Sequence, residues 1–180
     1  TLAYATEAYL NGVFTDKETG GIKLGWNKPE VMLELLEKTA YREGFGDILA
    51  EGTRAISEKY GGKEYAIHVK GLECPMHDPR ALWSLALTYA TGIRGACHCA
   101  DANLYIELGV GNNDDLNIPR SKPLRAEGKA AQTIGAQVKG IITNSAIICE
   151  YVKTAGTDDV NDLLNLINAA TGLGYTLESL

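Results

Sequence analysis

Apolar positions recur along this chain at the spacing of α-helices, with almost no strand signal. Leu2, Ala5, Tyr9 and Leu10 share one face of a helix over residues 1–12, and Asn11-Gly12 stops it. Thr15 to Gly25 reads as a polar, glycine-containing loop. Asn27 then caps a helix striped by Val31, Leu35, Leu36 and Thr39. Glu30 is the reciprocal partner of that cap, and Gly44 ends the helix. Another helix runs from Gly46 to Tyr60 on Ile48, Leu49, Gly52, Ala55 and Ile56, and Gly61-Gly62 ends it. Tyr65 to Val69 alternates and predicts a short extended piece, too little to build a sheet alone.

The second half continues in the same way. Pro75 and Pro79 disfavour helix in the residues before them, so Glu73 to Pro79 is a turn. Asp78 is a suitable N-cap, with Pro79 at the first helical position. That helix runs from Arg80 to about Thr91 and is broken by Gly92 and Gly95. A second helical segment is expected from Ala96 to Leu108, then a polar loop from Gly109 to Lys122. Ala126 to Lys153 has long helical character, interrupted by Gly128, Gly135 and Gly140. Thr157 caps the last helix, whose stripe is Val160, Leu163, Leu164 and Ile167, with Gly172 after it. The expected fold class is all-α, with no internal repeat.

A chain of 180 residues makes one domain or two small ones. Its net charge of −6 argues against nucleic acid or an anionic membrane as a main partner. No apolar run is long enough to span a bilayer. The cysteines Cys74, Cys97, Cys99 and Cys149 lack the density of a secreted disulfide scaffold, so a reduced, cytoplasmic setting is expected. The chain opens at Thr1 inside a helical pattern and closes on a helix start with no helix behind it. Both ends read as cut, and a fragment of a larger protein is expected.

The richest chemistry lies between Lys70 and His98, KGLECPMHDPRALWSLALTYATGIRGACH. His98, between Cys97 and Cys99, is either a catalytic or metal-facing imidazole or a histidine bonded to a backbone carbonyl near a helix start. Adjacent helical residues point in different directions, and no C-x-x-C spacing is present, so zinc is disfavoured. His77 is either a pocket-lining donor or acid, or incidental to the Asp78-Pro79 turn. Asn144 is either a partnered buried amide or a ligand contact, and Cys149 reads as a small buried hydrophobe. No phosphate-cradling glycine loop and no G-x-S-x-G is present.

Three blocks resemble the aldehyde ferredoxin oxidoreductase family, over nearly the whole chain. They are Tyr41-Arg-Glu-Gly-Phe-Gly-Asp-Ile-Leu-Ala-Glu-Gly52, the Lys70–Arg80 stretch running on to Tyr89-Ala-Thr-Gly-Ile-Arg-Gly-Ala-Cys-His98, and Ile147-Ile-Cys149 with Leu163 to Gly174. The resemblance implies the C-terminal helical region of that fold, as two small helical subdomains over residues 1–180 with a boundary near His77. It implies a whole protein that oxidises aldehydes to carboxylic acids and passes electrons to ferredoxin. The cofactors so implied are a tungsten bis-pterin and a 4Fe–4S cluster, neither expected on the fragment alone.

Residue by residue, His98 matches the family's active-site histidine and His77 a pocket-lining Tyr or His. Asn144-Ser-Ala-Ile-Ile-Cys149 matches a pterin motif of the form D-x-x-G-L-C. By that match Asn144 and Ile148 are cofactor contacts, and Cys149 is a cofactor contact and metal ligand. The chain departs from the motif where Asn144 replaces Asp and Ile147 replaces Gly. Asn cannot supply a carboxylate, and Ile147 adds bulk where close backbone is wanted. The expected partners are ferredoxin, a small aldehyde and an N-terminal domain of the same protein, with either self-association through the apolar end of the Ala126–Lys153 segment or an exposed apolar patch there. Alternatives are a related tungsten-dependent benzoyl-CoA reductase subunit, or a cofactor-free helical structural or docking module.

Overall fold

The computed structural model describes residues 1–101, 103–110, 116–149, 151 and 159–179. They divide into two compact units, Thr1–Cys74 and Pro75–Leu180. No helix among the described residues is long and apolar enough to cross a membrane.

The first unit holds α1 (Leu2–Leu10), α2 (Asp16–Thr19), α3 (Pro29–Tyr41), α4 (Phe45–Leu49) and α5 (Gly52–Tyr60). A 3-10 turn (Lys63–Tyr65) leads to the strands β1 (His68–Val69) and β2 (Leu72–Glu73). Phe14 is the centre of the core: its ring meets Phe45 at 5.3 Å, Tyr60 at 5.7 Å and Tyr4 at 6.2 Å. Leu35, Leu49 and Ile56 close over it, each fully buried. The strands pair antiparallel, Val69 opposite Leu72, across Lys70 (φ 55°) and Gly71 (φ 89°). Positive φ at both central residues is the turn that matches strand twist in a two-residue hairpin.

Several local expectations change here. The loop at Thr15 contains the one-turn helix α2, because Thr15 and Glu18 form a reciprocal capping box. Asn27 does not cap α3. It turns the chain at φ 58°, Lys28 holds the cap position without a side-chain bond, and Pro29 opens the helix. The expected Gly46–Tyr60 helix is two helices, broken where Gly52 takes φ +83°. Gly46 instead allows α4 to touch α3, since a Cβ there would lie 2.2 Å from the Lys38 carbonyl carbon.

The second unit holds α6 (Trp83–Thr91), α7 (Asn103–Leu108), α8 (Lys129–Ser145), α9 (Val160–Thr171) and a final 3-10 turn (Leu177–Ser179). α8 is central and packs against α6, α7 and α9. Asp78 and Pro79 form a β-turn closed by the Ala81 N–H to Asp78 carbonyl bond (3.1 Å), so α6 starts at Trp83 rather than Arg80. Of the expected Ala96–Leu108 helix only Asn103–Leu108 forms among the described residues. Gly128 (φ +77°) precedes α8 as its cap, while Gly135 and Gly140 lie inside a continuous helix. α9 is capped by Asp159, whose carboxylate accepts from Asn161 N–H at 2.8 Å; Thr157, the expected cap, lies outside the described residues. Near the end of α8, Ile142 is buried with Val160, Leu163 and Leu164, and Ala146 and Ile148 pack on that cluster. Ile141 and Ile147 are exposed, and Val152 lies outside the described residues.

Candidate functional site

His77 and His98 come together across α6. Their rings lie 4.5 Å apart between centroids, with planes inclined at 58°. Both are half-buried, so each imidazole keeps access to solvent or to a ligand. The Tyr89 hydroxyl donates to the His77 carbonyl at 3.0 Å and ties the His77 turn to α6. His98 lies in a turn preceding α7 rather than on a helix, and its Nε2 faces Cys99 Sγ at 3.4 Å. Beside His77, the Arg80 guanidinium and backbone N–H hold the Asp78 carboxyl down at about 2.

The His98 turn belongs to the connection after α6, and Asp101 at its return end is bonded to both α6 and α7. Thr88 on α6 donates to Asp101 Oδ2 (2.7 Å), and Asn103 N–H at the start of α7 donates to Asp101 Oδ1 (2.9 Å). The Asn103 amide donates to Thr88 Oγ1 (2.9 Å) and to Thr133 on α8 (3.0 Å). Gln132 on α8 then donates to Asn103 Oδ1 (3.1 Å) and Ser84 Oγ (2.9 Å), and accepts from the Ser121 backbone and hydroxyl at 2.8 and 2.7 Å. Ser84 donates to Glu107, which pairs with Lys129, and both members of that ion pair are buried. A buried network with its members satisfied specifies one arrangement, because any slip leaves a polar group unpaired. Sequence reading missed it. Its signal was Lys129, Gln132, Thr133, Lys139 and Thr143, which recur at helical spacing but are polar.

Asn144 is exposed near the end of α8 and lines a cleft of about 450 Å³ with Gly92, Arg94, Gln137 and Ile141. α8 ends in a paired C-terminal cap. Ile147 N–H donates to the Asn144 carbonyl (3.1 Å) and Ile148 N–H to the Thr143 carbonyl (3.4 Å), with Ile147 left-handed at φ 56°. Ile147 thus holds the conformation a glycine favours at that place, although it is β-branched. Ile148 points into the α8–α9 apolar cluster, and Cys149 follows as an exposed free thiol, not a buried one. The structure therefore joins His77 with His98 and places Asn144 on the cleft beside Gly92 and Arg94.

Cys149 does not join the histidines as a metal site, since no group of three or more His, Cys, Asp or Glu that could hold a metal occurs among the described residues. An exposed single thiol suits one ligand of a cluster completed from elsewhere, not a complete site. Asn144 and Arg94 offer amide and guanidinium donors to a hydrogen-bonding heterocycle in the cleft.

Against known proteins, the family described as aldehyde ferredoxin oxidoreductase, domains 2 and 3, matches residues 1–180. The chain is 37% identical over 182 residues to a tungsten-containing aldehyde ferredoxin oxidoreductase of Pyrococcus furiosus, covering 99% of this chain and 28% of that protein. A protein of the same description from Thermococcus kodakarensis is 35% identical, over 99% of this chain and 28% of its own length. An aliphatic sulfonate oxidoreductase, WOR-like subunit, of Pyrococcus furiosus is 30% identical over 98% of this chain and 25% of its own length. The chain thus spans about a quarter of the length of these curated relatives.

Proposed function

The chain belongs to the aldehyde ferredoxin oxidoreductase family, and on that premise we propose that it forms the helical part of a tungsten enzyme that oxidises aldehydes to carboxylic acids with ferredoxin as electron acceptor. The observation that carries the reading is the half-buried His77–His98 pair, with His98 on a connection held at Asp101 to α6 and α7, in the unit that also carries the cleft. In this reading the two compact units are the family's two helical domains, with the boundary near His77. In the same reading the setting is reduced and cytoplasmic, since four cysteines in 180 residues lack the density of a secreted disulfide scaffold.

His98 holds or accepts the proton released as the aldehyde or its hydrate is oxidised, and His77 packs against it and limits its rotation. Asn144 would hydrogen-bond a pterin in the cleft, and Ile148 supports that contact by anchoring the end of α8 in the core. Cys149 would give one thiolate to a 4Fe–4S cluster. The tungsten bis-pterin, when bound, supplies the two-electron oxidation.

The test is aldehyde-dependent reduction of a low-potential dye or of ferredoxin by a full-length protein that carries this chain. His98→Asn should lower kcat on the order of 10²-fold or more, with tungsten and iron contents unchanged. Cys149→Ser should lower iron content and leave tungsten. Dye reduction that His98→Asn does not slow, or that no aldehyde supports, overturns the reading.

A further inference from the structure

His98 and Cys99 are neighbours in sequence whose side chains meet, which a helix would not allow. The Ala100 N–H donates to the Cys97 carbonyl at 3.2 Å, and this bond closes a β-turn with His98 and Cys99 at its two central positions. On that turn His98 Nε2 lies 3.4 Å from Cys99 Sγ, within reach of an S–H···N bond. The His77 ring packs on the imidazole at 4.5 Å and restricts its rotation. A nucleophile, a base within reach of it and a third group that orients the base make the constellation of an activated nucleophile. The Arg94 guanidinium brings a positive charge to the same connection, where it donates to the Cys99 carbonyl at 3.3 Å. Cys99 is exposed, whereas Cys74 and Cys97 are half-buried. An exposed thiol beside cationic groups is where a cysteine reacts rather than packs.

We propose that Cys99 is a nucleophilic thiol that forms a covalent adduct with α,β-unsaturated aldehydes, with His98 as its base. The thiol passes its proton to His98 Nε2 as sulfur attacks the β-carbon. One S–C bond forms and the C=C π bond breaks, which leaves an enolate. His98 returns the proton to the α-carbon. Thiol and aldehyde therefore combine with no atom lost, and no oxidant or reductant takes part. Sulfur is soft and polarisable, and it matches the β-carbon of a conjugated system better than a carbonyl carbon. A saturated aldehyde offers only the carbonyl carbon and gives a hemithioacetal that reverts. In the function proposed above, an unsaturated aldehyde that reaches His98 is then an inactivator, because the adduct sits on the residue beside the imidazole. That consequence rests on the proposed function, whereas the adduct does not.

The experiment treats the 180-residue chain with crotonaldehyde at neutral pH, fixes adducts with borohydride and follows each cysteine by peptide mass spectrometry over time. N-acetylcysteine methylamide in the same solution gives the rate of an unassisted thiol. Cys99 should react at least about tenfold faster than that reference, because an ordinary thiol of pKa about 8.5 is only a few per cent thiolate at neutral pH. Cys149, the other exposed thiol, should lag behind Cys99. His98→Asn should slow Cys99 at least about tenfold, with the helical circular dichroism unchanged. Butanal should leave Cys99 unmodified. A Cys99 rate no faster than the reference thiol, or no faster than Cys149, overturns the proposal without recourse to any variant. An unchanged rate in folded His98→Asn, or equal modification of Cys99 by butanal, overturns it as well. The assay contains no tungsten and no redox step, so its failure leaves aldehyde oxidation by the full-length protein separately testable.

Discussion

Gly140 meets Ala100 with no space for a side chain: a Cβ on Gly140 would lie 2.5 Å from the Ala100 carbonyl oxygen and 2.6 Å from the Asp101 Cα. This contact presses the return end of the His98 connection onto α8. In an exposed helix interior, Gly→Ala stabilises by about 1 kcal/mol. Here the sign reverses, because backbone must move to admit the methyl, and Gly140→Ala should destabilise by about 1–3 kcal/mol in urea unfolding. Gly135→Ala should cost less. Its nearest obstacle is Ile118 Cγ1 at 2.8 Å, part of a side chain rather than of the backbone. A stabilised Gly140→Ala would mean that α8 does not seat against this connection.

The existence of α1, α3 and α9 was legible in the sequence, but only in α9 does burial follow the 3.6-residue stripe, at Val160, Leu163 and Leu164; α1 buries Tyr4, Ala5, Thr6 and Ala8 and exposes Leu10, and α3 buries Leu35 alone. His77 and His98 were singled out as candidate site residues by the wording of their stretch, but their ring contact is not local and no spacing rule predicts it. The glycines of α8 were misread as interruptions, since a glycine that breaks a helix and one that admits a neighbour look alike without the neighbour. The polar face of α8 was missed for a similar reason. Periodicity finds apolar stripes, whereas Gln132 and Asn103 are buried only because each satisfies the other. Leu36, counted in the α3 stripe, is exposed, so that stripe is narrower than its apolar residues suggest.

The Lys129–Glu107 pair should behave as a buried ion pair whose single loss is worse than its double replacement. Both side chains are almost fully buried. Lys129→Met leaves the Glu107 carboxylate charged in the core and should cost about 3–5 kcal/mol. Adding Glu107→Gln removes that charge and keeps an oxygen for the Ser84 N–H, so the double variant should recover part of the loss. Chemical denaturation of the four proteins in a double-mutant cycle measures the coupling. Additive losses would place the pair in water.

Acid should unfold the first unit partly through Glu73. Burial pushes its pKa up, but the hydrogen bonds from Thr53 N–H (2.9 Å) and the Thr1 hydroxyl (2.7 Å) outweigh burial and hold it at about 2, below the ordinary 4.5. A lowered folded-state pKa means that this stabilisation is fully present above about 4.5 and is lost as pH falls toward 2. Glu73→Gln should lower stability at neutral pH and flatten its slope across that window. Asp78 lies in the same window at about 2, so Asp78→Asn is the parallel control. An acid slope unchanged in Glu73→Gln would show that the carboxylate is not held by these donors.

Ile147→Gly should raise stability, against the usual rule that glycine weakens a chain. Ile147 is 91% exposed, so removing its side chain forfeits little burial. Its φ of 56° places a β-branched residue in the left-handed region, at a cost of roughly 1–2 kcal/mol. Glycine removes that strain, although its freer unfolded chain takes back roughly 0.5–1 kcal/mol. The net expectation is a gain of up to about 1 kcal/mol, read as a higher urea midpoint with an unchanged slope. Ile147→Ala separates the two terms: it keeps a Cβ at positive φ while losing the branch, and should fall between the other two. The paired cap bonds of Ile147 and Ile148 to the end of α8 should persist in all three, seen as protected amides in hydrogen exchange. If glycine destabilises and those amides lose protection, the Ile147 side chain rather than its backbone angle holds the turn that leads to Cys149.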